Sequence, residues 1–147
     1  MVSESYKEKR KGLAKMNEQE CARLLAEDLG DITGITFHAA GTSEAGEKPF
    51  GVVRFSDFTE NVTLLGNYDG SITVTIRTIP DDTTQEQVDS WADQVGNRIT
   101  SKESLSTALS GQYSAAECWN VQTQISSIGD GVRETVVQVS TSLVQLS

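Results

Sequence analysis

The sequence predicts an α+β fold: a mixed or mainly antiparallel sheet with helices packed on one face, plus an N-terminal helical arm. Three stretches carry that expectation. Between Gly70 and Ile99 a strand, a break and a helix follow one another, because alternating Ile72, Val74 and Ile76 give way at Pro80 to apolar residues at helical spacing. Cys21, Leu24, Leu25 and Leu29 form an earlier helical stripe. Near the C-terminus, Asp130-Gly131 separates two strand-like runs, a strong short-range hairpin signal.

In chain order, residues 1–16 stand apart as a basic N-terminal arm, and residues 17–147 are expected to make a single α+β domain. Ser3 to Lys15 mixes charges of both signs and has little apolar content beyond Tyr6 and Leu13, which fits an exposed helix or a mobile extension. Asn17 and Glu20 have the spacing of a capping box, with Asn in place of Ser or Thr. The stripe behind them predicts about three helical turns closed by Gly30.

Ile35 to Ala39 is a short strand candidate, and Gly41 to Lys48 reads as an exposed loop or hairpin tip. Pro49 opens a further strand at Phe50, Val52, Val53 and Phe55. Phe58 to Leu65 fits either a short strand or an irregular connection. Gly66, Asn67, Asp69 and Gly70 then supply turn residues. Thr73, Thr75 and Arg77 fill the wetter side of the next strand. Asp81, Asp82, Thr83 and Thr84 offer oxygens to the first N–H groups of the long helix, whose inner face is Val88, Trp91, Ala92, Val95 and Ile99.

Thr100 with Glu103 marks another cap, followed by a short helix through Leu105, Ala108 and Leu109 that Gly111 stops. Trp119, Val121, Thr123 and Ile125 alternate in the penultimate strand, with Trp119 placed to meet Trp91 across the sheet–helix interface. The last strand runs from about Val132 to Leu146, with Val137, Val139, Thr141 and Leu143 on one side. Val136 beside Val137 breaks the alternation, which implies a bulge or a strand buried on both faces.

Composition excludes several classes. The 147 residues are 37% hydrophobic and 22% charged, with no apolar run near the roughly 18 residues of a membrane span. The N-terminus has charges without a following apolar block, so no secretory leader is expected, and the protein should be made and used in the cytosol or in something assembled there. Cys21 and Cys118 then read as buried free thiols. The net charge of −9 is uneven: residues 1–16 hold five Lys/Arg and two Glu, leaving the remainder at −12. Such an acidic body opposes tight binding to phosphate backbones.

No catalytic, cofactor-binding or metal residue is assigned. One histidine and two remote cysteines have no zinc-ligand spacing. His38 reads as a surface or core-edge residue, and a serine nucleophile would have no local motif supporting it as base. Asp69, Asp81, Asp82 and Asp130 sit beside Gly, Pro or a helix start, where Asp is favoured for backbone reasons. No twelve-residue calcium loop, GxxxxGK[ST], GxSxG or GxGxxG occurs. Asn61-Val62-Thr63 matches a glycosylation acceptor, which carries no meaning without export. The expectation is a protein that is not an enzyme.

The order of elements resembles a known family. A helix leads into strands, then "DGSITVTIRTIP" runs into "TTQEQVDSWADQVGNRI", followed by "ESLSTALSG" and the closing strands "ECWNVQTQISS" and "VRETVVQVSTSLVQL". Over residues 17–146 this is similar to the tail terminator (tail completion) proteins of long-tailed bacteriophages and related contractile particles. The resemblance implies a structural virion protein in the tail or neck, assembled in the host cytoplasm. Its subunits would form a ring, commonly six, that caps the tail tube and joins it to the head connector. Implied partners are copies of itself, the tail tube protein (and sheath, in a contractile tail) and the head-side connector. Neither a membrane nor sequence-specific nucleic acid is implied, although DNA passes through such rings. It transfers no catalytic residue and no cofactor. The competing reading is a small acidic cytosolic adaptor or chaperone-like binding protein.

Overall fold

The computed structural model describes residues 16–41, 49–60, 66–128 and 131–146. In chain order its elements are α1 (Glu18–Thr33), β1 (Thr36–Ala39), β2 (Phe50–Glu60), β3 (Asn67–Thr78), α2 (Gln85–Thr100), α3 (Lys102–Ala108), β4 (Tyr113–Ile128) and β5 (Val132–Gln145). The strands form one sheet in the order β1-β2-β3-β5-β4. Only the β1–β2 pair is parallel, so the sheet is mixed and mainly antiparallel. The fold is α+β, as the periodicities predict. The basic segment 1–15 lies outside the described residues, and Met16 at its end is already packed in the core.

The register of β3 and β5 sets the two faces of the sheet. Ile72, Val74 and Ile76 of β3 and Val137, Val139 and Leu143 of β5 are fully buried on one face. Val53 and Phe55 of β2 join them there, and all three helices cover this layer: α1 over β1 and β2, α2 over β3, β5 and β4, α3 over β4. Cys21, Leu25 and Leu29 of α1, Val95 and Ile99 of α2, and Leu105 close the core. Each buried aliphatic side chain contributes roughly 1.5–3 kcal/mol, which is why the period of the pattern decides the face.

Helix ends depart from the sequence reading in instructive ways. The Asn17 side chain accepts from the Glu20 N–H at 3.0 Å, but the Glu20 carboxylate turns outward to Arg23, so only half of the capping box forms. Helix α1 passes through Gly30 and ends at Gly34, whose φ of 85° only glycine adopts without strain. At α2 the reciprocal box is complete between Thr84 and Gln87, and Asp81 and Asp82 stay exposed in the preceding turn. Ser101, one residue later than expected, caps α3, while the Thr100 hydroxyl donates back to the Gly96 carbonyl.

The strands differ more. Parallel pairing of β1 with β2 rules out a hairpin there, since the intervening chain must return the full length of β1. Residues 42–48 of that connection, and residues 61–65, lie outside the described residues, as does the Asn61 acceptor. Strand β2 extends to Glu60 through a bulge between Ser56 and Thr59. Asp69 and Gly70 are within β3, not in a turn. Gly70 is there because the Phe58 ring packs flat on it: an added Cβ would sit 2.5 Å from that ring. No bulge occurs at Val136. The β3–β5 register is continuous, and Val136 is simply half-buried on the far face. The irregularities fall instead on β4, between Ala115 and Glu117 and between Trp119 and Gln122.

Candidate functional site

The residues weighed for chemistry do not converge. His38 lies on the sheet face opposite the helices, edge-on to Phe50 with centroids 5.8 Å apart, and the Arg77 guanidinium sits 5.8 Å above the same ring. Asp69 stands in β3 opposite Thr59 and Ser142, Asp81 and Asp82 are exposed before α2, and Asp130 is outside the described residues. Among the described residues no group of three His, Cys, Asp or Glu is placed to hold a metal ion. No helix among them is long and apolar enough to cross a membrane.

Both cysteines are free. Burial, reinforced by Glu20 and Glu18 nearby, pushes the Cys21 thiol up to about 12, so it stays protonated at neutral pH and lacks the thiolate a nucleophile needs. Cys118 points into the helix side, its Sγ 3.4 Å from the Ile99 carbonyl and 3.5 Å from the Thr141 hydroxyl. Burial raises Tyr68 and Tyr113 as well, and the Tyr113 hydroxyl accepts from the Asn17 N–H at 3.4 Å.

The tryptophans separate. Trp91 is half-buried against the core from α2. Trp119 pairs with Ser140, between the buried Val139 and Thr141, and therefore lies on the far face, 38% exposed. It does not meet Trp91. The reason is the β4 register: the bulge after Ala115 resets which residues face the helices, a shift with no local signal in the sequence.

What remains is surface. Around α2 the helix side exposes Asp81, Asp82, Glu86, Asp89 and Asp93. The far face is nearly balanced: Arg54 and Arg77 stand against Asp69, Glu117 and Glu134, with Arg77 and Glu134 paired at 3.2 Å. Between them lie Ser71, Thr73, Thr75, Gln138 and Ser140. Toward β1, Ala40, Phe50 and Val52 form a second small buried cluster. At the β4 edge Trp119 and Val121 are exposed apolar residues. At the opposite edge, Ile35, Thr36 and Phe37 line an open groove of about 480 Å³ with Glu27, Gly30 and Asp31 of α1 and with Gly34 beyond its end.

No family model matches the sequence, and no curated protein matches it. The fold, however, is similar to that of a solved chain described as "Virion of native gene transfer agent (GTA) particle". The TM-score is 0.54 at 8% sequence identity, and the match covers 86% of this chain and 95% of that one. At such identity the likeness is one of fold.

Proposed function

We propose that this chain is a structural virion protein of a phage-like particle, and within that class a tail terminator: a neck ring subunit that caps the tail tube and joins it to the head connector. The observation that carries the reading is the shared fold with a chain of a gene transfer agent virion, matched over nearly the whole length of both. The order of elements that resembles tail terminators supports the finer assignment.

A ring needs two different patches meeting head to tail and a rotation that closes. The two ends of the sheet differ in length, direction and side chains, as such a contact requires. The acidic helix side also suits a passage for DNA, since like charge keeps the polymer from adhering. Partners are then copies of the chain, the tail tube and the head connector, in the tail or neck of a virion assembled in the host cytoplasm.

Mass in solution, with electron microscopy of the protein alone and mixed with tail tubes, tests this. Closed rings, commonly sixfold, seated at tube ends are expected. A chain that stays monomeric at high concentration and leaves tube ends bare refutes the terminator role, and a ring whose bore is lined by Lys and Arg refutes the DNA-passage argument.

A further inference from the structure

We infer that the groove between α1 and β1 is the seat of this chain's own basic N-terminal arm, which returns along α1 and places Leu13 on the apolar floor and Lys11 beside Asp31. The inference goes beyond the terminator reading and does not depend on it.

The groove suits that occupant by shape and charge. Ala26 and Gly30 of α1 with Ile35 and Phe37 form its floor, and Glu27 and Asp31 stand at its rim. Glu27 is held by Arg23 at 2.7 Å. Asp31 is exposed and, among the described residues, has no ion-pair partner. It sits in the last turn of α1, at the negative end of the helix, where a lone carboxylate is disfavoured and a cation brought from elsewhere relieves it. Residues 7–15 hold five Lys/Arg and one Glu, with Leu13 among them.

Gly30 is a second sign of an occupant. It lies inside α1, where glycine is a poorer choice than alanine because it loses more backbone entropy on folding. The described fold does not require it: an added Cβ would meet the Ile35 carbonyl oxygen at 3.4 Å, an ordinary contact. A bare position facing a groove lets another segment come close to the helix.

The arm enters at the head of the same helical face. Met16 is packed in the core and lines a hollow of about 350 Å³ with Gln19, Ala22 and Ala40. Gln19, Ala22, Ala26 and Gly30 follow at spacings of three and four, so this hollow and the groove lie along one side of α1. Counted from Asn17 at roughly 1.5 Å per residue, Ala26 lies about 13 Å and Asp31 about 21 Å along the helix. A chain returning extended covers about 3.3 Å per residue, which brings Leu13 to about 13 Å and Lys11 to about 20 Å. Leu13 is then level with Ala26, and Lys11 with Asp31. The tether at Met16 selects the chain's own arm over another copy's, because a short linker keeps it at high effective concentration. The seat asks nothing of Ala39 in β1, which already has a partner.

A benzophenone amino acid placed at position 13 tests the seat, with light and heavy isotope-labelled copies mixed before irradiation. Adducts to residues 26–37 within one copy are expected. Adducts at those residues between oppositely labelled copies give the groove to a neighbour's arm and overturn the inference, as does a lack of adducts to residues 26–37. Ring formation is read separately, by mass in solution, so failure here leaves the terminator reading standing. In parallel, trypsin should cut between Lys7 and Lys15 about tenfold faster in Asp31→Lys than in the unaltered protein, because cleavage follows the undocked population. The thermal melt of that variant should not fall, since lysine suits the last turn of a helix. Equal cleavage rates contradict the inference.

Discussion

Arg98 of α2 holds Asp28 of α1 through two parallel hydrogen bonds, Nε to Oδ2 at 2.6 Å and Nη2 to Oδ1 at 2.7 Å. The pair spans 70 residues of sequence, and both side chains are three-quarters or more buried. It is the polar tie between the two long helices, with a longer contact of 3.5 Å from Gln94 to the Ile32 carbonyl beside it.

Arg98→Ala strips Asp28 of its partner in a site that water reaches poorly. We expect a loss of about 1.5–3 kcal/mol, the range for hydrogen bonds to charged groups. Arg98→Lys should recover only part, because an ammonium does not reproduce the two-pronged geometry. Urea unfolding midpoints of the two variants check this. Equal stability of Arg98→Ala and the unaltered chain contradicts it.

Two glycines are fixed by aromatic rings. A Cβ at Gly51 would lie 2.2 Å from the Phe37 ring, and one at Gly70 would lie 2.5 Å from the Phe58 ring. Gly51→Ala and Gly70→Ala are each expected to destabilise by about 1–3 kcal/mol through overpacking. Phe58→Leu in the Gly70→Ala background should recover part of the loss. Thermal melts of the three variants report it.

Among the described residues, the buried hydroxyls of Thr78 and Thr135 have no hydrogen-bond partner. Both side chains are fully enclosed on the helix side of neighbouring strands. Replacing a donor that has no partner removes a desolvation penalty at nearly constant shape, so Thr78→Val and Thr135→Val should be neutral or stabilising, by up to about 1–2 kcal/mol. A clear loss in chemical denaturation would show that these hydroxyls are satisfied after all.

Cys21 gives the fold an alkaline limit. Its thiol titrates at about 12 in the folded chain against an ordinary 9.0, so folding favours the protonated form. Below the lower value both states hold the proton and stability does not respond. As pH rises from about 9 toward 12 the unfolded chain loses its proton first, and stability falls with pH across that window. Tyr68 and Tyr113 shift in the same direction and steepen the limb. Cys21→Ala should flatten the slope of denaturation midpoint against pH. A thiol reagent at neutral pH should spare Cys21 in the native protein and label it after unfolding.

Much of the fold was legible in local pattern. Alternation over Ile72, Val74 and Ile76 marked the strand and its buried face, and the spacing of Val88, Ala92, Val95 and Ile99 marked the helix against it. The expected antiparallel pairing of the last two strands is there, with Ile128 opposite Val132 and Gly131 at a φ of 75°, while Asp130 lies outside the described residues. Boundaries were less legible where tertiary contacts override composition. Gly30 and Gly70 look like breakers in the sequence, yet one is carried inside a helix that Gly34 ends, and the other lies under the Phe58 ring.

By itself the sequence determined which faces of α1, α2, β3 and β5 are apolar, because the periods 2 and 3.6 are properties of the backbone that side chains decorate. It also determined that the charge is acidic and unevenly spread. Only the tertiary structure decided that β5 inserts between β3 and β4, that β1 runs parallel to β2, and that Trp119 looks away from the helices. Those choices depend on hydrogen bonds between strands far apart in the chain and on bulges that reset register. Residue spacing along one strand does not encode its neighbour.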